Sequence, residues 1–303
     1  MVEYKAEGLY RCAQNMTPNQ LEEAFYSGEL LQATALAFDH AQRLRLTLAG
    51  KPAYMDYADC ADGLENGEVR NIAILTRVGR PVCFVITQLP QGPDGFYKLS
   101  RRSAQQQCKK NYLDLLIPGD ILPCRVTHIE PFGAFCDVGC GISALLPIDC
   151  LSVSRIKSPA DRVQVGDDLY CILKSRDEQN RLVLTLRELL GNWAQNAEQF
   201  SIGETVVGIV RSIESYGIFI EIAPNLAGLA EYTEGLCLGQ PVSVYIKNIL
   251  PEKMKIKLVI VNHELPEPLK FNLNYYQTSG HIDHWIYSTP ESNKQIETVF
   301  AKR

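Results

Sequence analysis

Two short segments carry side chains whose types and spacing fit a binding chemistry. Phe132-Gly133-Ala134-Phe135 and Tyr216-Gly217-Ile218-Phe219 each set two aromatic rings around a glycine. An unpaired nucleobase offers a π-face, so an exposed ring stacks on it whatever its identity, worth about 1–3 kcal/mol per base. Arg181 and Lys255 hold matching places downstream of the two ring pairs, where a cation would neutralise phosphate. Asp177 precedes Arg181; a carboxylate repels phosphate, so its expected task is to orient that guanidinium. Lys247, Lys253, Lys255 and Lys257 form a basic run. At alternate positions, Lys253, Lys255 and Lys257 would share one strand face, which reads as an RNA contact or as a solvated edge that discourages aggregation. In a small barrel one ring of each pair could instead belong to the core.

Other candidate chemistry is weak. The ten cysteines include Cys124, Cys136, Cys140, Cys150 and Cys171 in one stretch, but no Cys-x-x-Cys pair. Cys136-x3-Cys140 stands alone, so reduced, mostly buried thiols are expected rather than zinc or disulfides. His281 and His284 sit in an aromatic-rich tail and lack the Glu of a helical metalloprotease motif. They are expected to pack or hydrogen-bond against the last barrel. No phosphate loop, dinucleotide fingerprint or nucleophile elbow is present. No catalytic residue, cofactor or metal is therefore predicted.

The elements that must position these side chains come from repeats. The chain has 303 residues, 46% hydrophobic and 21% charged, an ordinary globular composition. Lys+Arg is 30 against Asp+Glu 35, a net charge of −5, so binding driven by a broad basic surface is excluded. Gly119 to Phe135 matches Gly203 to Phe219 position by position, with 14 residues from the first glycine to the hairpin glycine in each. Ala144-Leu145 matches Gly228-Leu229, Gly166 to Lys174 matches Gly239 to Lys247, and Arg181 to Leu184 matches Lys255 to Leu258. A weaker third copy lies upstream, in Gly28 to Leu31, Gly79 to Ile86 and Leu99 to Arg102.

Within a repeat, runs such as Val206 to Val210, Ile218 to Ile222, Val242 to Ile246 and Ile256 to Val261 read as strands. Gly133 and Gly217 fit a tight turn or bulge where positive φ is cheapest for glycine. Five such strands in about 70 residues suggest a small barrel, the OB-fold. Apolar stripes from Ala104 to Leu116 and from Leu189 to Phe200 read as helices. Thr17 and Pro18 read as the cap and first residue of another.

These residues resemble the S-one RNA-binding motif family, the OB-fold repeats of a large bacterial small-subunit ribosomal protein and of several ribonucleases. The resemblance covers residues 28 to about 262, strongly from 118 onward, and the tail is similar to that of short three-repeat relatives. It implies RNA lying across one barrel face, over two aromatics on the second strand, beside a histidine on the third and an aspartate–basic pair near the last strands. The second repeat keeps Phe132, Phe135, Asp177 and Arg181, with Pro147 where the histidine is expected. The third keeps Tyr216, Phe219 and Lys255, with Glu231 replacing its histidine and Pro251 near the aspartate position. In the first repeat Ala41 and Leu44 fall at the aromatic positions and Phe96 at the basic one, so RNA binding in the usual way is not expected there.

The expected fold is all-β: three tandem five-stranded OB barrels joined by short helices. The expected domains are an N-terminal segment 1–27, repeats 28–103, 118–187 and 202–262, linker helices 104–117 and 188–201, and a β-rich tail 263–303. The expected function is non-catalytic single-stranded RNA (mRNA) binding in translation or mRNA handling, with the small ribosomal subunit as a partner through the first repeat. The alternative is a protein-interaction scaffold that has lost RNA binding, which the net charge and the missing family histidines favour. Residues 1–8 lack an apolar secretory core and no apolar run reaches about 18 residues, so a cytoplasmic location without membrane contact is expected.

Overall fold

The computed structural model describes residues 3–263, 265 and 270–302. Met1, Val2, Arg303 and residues 264 and 266–269 lie outside the described residues, including part of the predicted tail and of the N-terminal segment. Two compact units are present: residues up to 116 together with 137–143, and the remainder.

In the first unit, β1 (Arg11–Cys12) precedes helix α1 (Pro18–Ser27). Thr17 caps α1 as predicted: its hydroxyl accepts from the Gln20 amide and the Gln20 side chain accepts from the Thr17 amide. Leu21 and Ala24 bury one face, and Gly28 ends the helix at φ 68°. Then follow β2 (Leu31–Thr34), β3 (Ala37–Phe38), β4 (Leu44–Leu48), β5 (Lys51–Met55), α2 (Ile72–Leu75), β6 (Pro81–Gln88), β7 (Tyr97–Ser100) and α3 (Arg101–Asn111). The seven strands form one sheet in the order β1-β2-β6-β7-β5-β4-β3. Leu44, Leu46 and Leu48 point into its core with Arg45 outside, the period-2 signature of a half-buried strand.

A buried carboxylate ties this unit together. Glu7 pairs with Arg101 at 2.6 Å and Arg77 at 2.9 Å, and accepts from the Cys83 amide. Burial works to raise the Glu7 pKa, but the two guanidiniums outweigh it and hold the carboxyl below its ordinary value.

The second unit contains two closed barrels. β8 (Ile121–Glu130), β9 (Gly133–Asp137), β10 (Ser143–Pro147), β11 (Asp168–Arg176) and β12 (Leu182–Thr185) close in the order β10-β12-β11-β8-β9. Helix α4 (Trp193–Ala197) leads to β13 (Thr205–Glu214), β14 (Gly217–Ala223), β15 (Leu226–Ala230), β16 (Pro241–Leu250) and β17 (Lys255–Asn262), which close as β13-β14-β15-β17-β16. Both follow one connectivity, strand 1 beside strand 4, then 5, 3 and 2. The first unit keeps that same order in β2-β6-β7-β5-β4. It adds a short strand at each edge and is not closed by strand pairing.

Three sequence expectations change. The 104–117 helix begins at Arg101, where the Ser100 hydroxyl accepts from the Ser103 amide, and ends at Asn111 before a 3-10 turn. The 188–201 helix is broken into a 3-10 turn (Arg187–Leu190) and α4, because Gly191 has φ 81° with Tyr276 packed where a Cβ would stand. Leu44 is fully buried in the core and Ala41 lies in the preceding turn, so neither occupies an outward strand position. A one-residue register difference moves a side chain to the opposite face.

The two barrels are joined through buried charge. Arg162, Glu221 and Arg211 form a nearly solvent-free triad in which the Arg211 Nε–Glu221 Oε2 distance is 2.7 Å. Asn225 accepts from the Val153 amide and donates to the Arg187 carbonyl.

The tail continues through β18 (His284–Ile286) and β19 (Glu297–Val299). Trp285 and Tyr287 pack into the core of the last barrel. His281, by contrast, meets Asp120 of the second barrel at 2.8 Å and the Ala301 carbonyl at 2.8 Å, while His284 pairs with Glu297 across the hairpin. Neither histidine is spent on the last barrel itself, because Ile121 and Ile282 draw the chain along β8 through backbone bonds to Gly280 and Gly119. Among the described residues, no helix is long and apolar enough to cross a membrane.

Candidate nucleic-acid interface

The hairpin glycines set the ring pairs. A Cβ on Gly133 would stand 2.6 Å from the Leu146 carbonyl oxygen, and one on Gly217 2.5 Å from that of Ala230. Close approach of the third strand therefore requires glycine at both sites. Gly133 does not adopt the positive φ expected of it, whereas Gly217 has φ 152°.

The rings flanking these glycines meet edge to face. Phe132 and Phe135 lie 6.1 Å apart at 90°, and Tyr216 and Phe219 lie 6.2 Å apart at 87°. Phe132 is 56% exposed and Tyr216 68%, while Phe135 and Phe219 are half-buried. Ala134, Cys136, Ile218 and Ile220 fill the barrel interiors instead. Neither ring of either pair is core, and each pair leaves an aromatic step open to solvent.

Sheet register shows what surrounds the rings. Phe219 pairs with Ser212 on one side and Leu229 on the other, and Leu229 pairs with Lys257. Lys257 thus shares the row of Phe219, and Lys255 lies one row away. In the second barrel Leu145 pairs with Val183, which makes Arg181 the structural counterpart of Lys255. Lys255 and Lys257 are exposed on one face of β17, with Ile256 and Leu258 inward. Lys253 leaves that face: it ends a 3-10 turn, and Met254 follows at φ 48°.

Asp177 does orient Arg181. Its carboxylate accepts from Arg181 Nε at 2.6 Å and from the Gln179 and Arg181 amides. Those bonds, the Arg181 amide foremost, lower its pKa. The Arg181 side chain remains 70% exposed, so it is held in place yet available.

One neighbour escaped the sequence reading. His128 on β8 lies 6.4 Å from Phe135 with its ring tilted 24°, and its Nε2 is 2.7 Å from Glu130. The place corresponding to it in the third barrel is Ser212. The only signal in the sequence was its even spacing from Val126 along one strand, which does not identify a cross-strand ring neighbour.

The remaining chemistry lies away from these faces. Cys12 is half-buried, Cys237 exposed, and the other cysteines are buried free thiols. Among the described residues, no group of three or more His, Cys, Asp or Glu is placed to hold a metal ion.

Residues 116–187, which form the barrel with the ring pair Phe132 and Phe135, match the family model described as the S1 RNA binding domain. The chain is similar to the small ribosomal subunit protein bS1 homolog of Bacillus subtilis, 29% identical over 65% of this chain and 52% of that protein. It is also similar to small ribosomal subunit protein bS1 of Staphylococcus saprophyticus, 28% identical over 68% of this chain and 56% of that one. The chain spans about half the length of these relatives. Among solved structures, a multidomain protein with nucleic acid binding domains from Streptococcus pneumoniae aligns at 15% identity over 79% of this chain and 75% of that chain, with a TM-score of 0.26.

Proposed function

We propose that the chain binds single-stranded RNA without catalysis, through the outer faces of its second and third barrels. The observation that carries this reading is the repeated ring pair, identical in geometry on two barrels and exposed on both. Phe132, Phe135, Tyr216 and Phe219 stack bases; Arg181, Lys255 and Lys257 meet phosphates; Asp177 positions Arg181. The S1 match and the bS1 relatives support a role in translation or mRNA handling, in the cytoplasm, with mRNA and the small ribosomal subunit as partners.

Three cations predict a modest salt dependence. When fluorescein-labelled single-stranded RNA of mixed sequence is titrated at several salt concentrations, these three contacts should contribute about −2 to the slope of log K against log salt, from roughly −0.7 per neutralised phosphate. No binding at low salt contradicts the reading in favour of a protein-interaction scaffold. A much steeper slope would require a larger basic surface than these residues form.

A further inference from the structure

The first repeat lacks aromatic side chains at the two places that carry them in the other barrels, yet its matching face is not blank. Strands β4, β5 and β7 hold the second, third and fifth places of the common strand order, as β14, β15 and β17 do in the last barrel. Their register aligns Arg45 with Tyr54, and Tyr54 with Lys98. Leu46, Ala53 and Tyr97 of the adjacent row are buried in the core, which puts Arg45, Tyr54 and Lys98 on the outside. The comparable row in the last barrel is Phe219, Leu229 and Lys257. The ring has moved from the second strand to the third, and a cation has taken its former place.

Around Tyr54 two side chains pack against the ring, one over its face and one at its edge. The Arg43 guanidinium lies 4.4 Å from the Tyr54 ring centre, and Phe96 meets that ring edge-on at 5.3 Å and 85°. Asp39 holds Arg43 through Nε and Nη2 at 3.2 and 3.0 Å, fixing the guanidinium plane. Lys98 has Asp56 at 3.6 Å, and Arg45 is exposed with no acidic partner within 4.0 Å among the described residues.

We propose that this face is a third binding surface for single-stranded RNA, with bases stacking on Arg43 and Phe96 and phosphates meeting Arg45 and Lys98. Guanidinium planes and aromatic rings are both surfaces on which unstacked bases settle. Three cations against two carboxylates favour a polyanion over an acid-neutral protein patch. The class of occupant rests on the single-strand reading above, but none of the residues is shared with it.

The test uses the full chain and the same labelled RNA. Arg45→Glu/Lys98→Glu is compared with the unaltered chain and, separately, is placed in a Phe132→Ala/Tyr216→Ala background. Both positions are on the outside of the sheet, and circular dichroism melting confirms folding. Arg45→Gln/Lys98→Gln should reproduce the direction with a smaller effect. The expected result is about a tenfold loss of affinity at low salt and a slope shallower by roughly 1.4, with a further loss of the binding that survives in the ring-deficient background. An unchanged affinity and slope in both backgrounds overturns the proposal and leaves this face to a protein partner. If the ring substitutions cost nothing while Arg45→Glu/Lys98→Glu abolishes binding, the assignment to the second and third barrels fails and this one stands. Absence of binding by the unaltered chain overturns both.

Discussion

The second and third barrels carry ring pairs that agree within 0.1 Å and 3°, but their charged surroundings have little in common. Beside Phe135 stands His128, and the cation Arg181 is clamped by Asp177. Beside Phe219 stands Ser212, and Lys255 and Lys257 project without an acidic partner among the described residues. The geometry common to both comes from the hairpin glycine pressed on the third strand. The cations sit on other strands, free of that constraint, so each barrel carries its own arrangement of positive charge. Ring geometry is therefore the part the two barrels share, and charge is the local part.

The same comparison extends to a buried acid. Asp137 and Glu221 lie 84 residues apart, the interval that also separates Gly133 from Gly217. Asp137 accepts from the Glu7, Gly139 and Gly141 amides, whereas Glu221 meets two arginines. Removing Glu221 would leave Arg162 buried with the Ser152 hydroxyl but no acid, and Arg211 with Asp161 as its one remaining acid among the described residues. Glu221→Ala should cost about 3–5 kcal/mol in chemical denaturation. Asp137→Ala strands neutral donors instead and should cost about 1–3 kcal/mol. Equal losses would show that the two acids do the same work.

A smaller effect separates the tail's two anchors. Burial alone would lower the His281 pKa, but Asp120, the Ala301 carbonyl and Asp283 outweigh it and raise it. A raised histidine adds stability that is complete below its unfolded pKa of about 6.5 and is lost as pH rises through the higher folded value. Amide exchange at Gly119 to Ile121 should therefore speed up, beyond its intrinsic pH dependence, as pH rises above neutrality. His281→Gln should remove that excess while leaving Trp285 and Tyr287 packed. A pH-independent tail would mean that the apolar anchor alone holds it.

Much of this was legible in the residues. The matched spacing of Gly119 to Phe135 and Gly203 to Phe219 was enough to foresee repeated barrels, and Thr17-Pro18 to place a helix start. The ring pairs follow from the repeat match and from the π-face an aromatic offers a base, but whether a ring is exposed or core does not follow from the residues alone. The cation pattern was only half legible. Arg181 and Lys255 followed from the repeat alignment, but Lys257 joins the Phe219 row only through pairing across three strands. His128 and the Arg43–Tyr54–Phe96 cluster are not legible for the same reason, since each depends on which strands are neighbours. The Arg162–Glu221–Arg211 triad joins residues about sixty positions apart, and no local pattern announces such a contact.

We propose that the exposed rings beside the hairpin glycines bind RNA rather than support the barrels. It is tested most directly by Phe132→Ala and Tyr216→Ala, singly and together, with affinity for labelled single-stranded RNA and melting temperature measured on the same samples. Each substitution should weaken binding by about 1–3 kcal/mol and leave the melting temperature nearly unchanged. Unchanged affinity, accompanied by the stability loss of about 3–5 kcal/mol that follows truncation of a core aromatic, would contradict it.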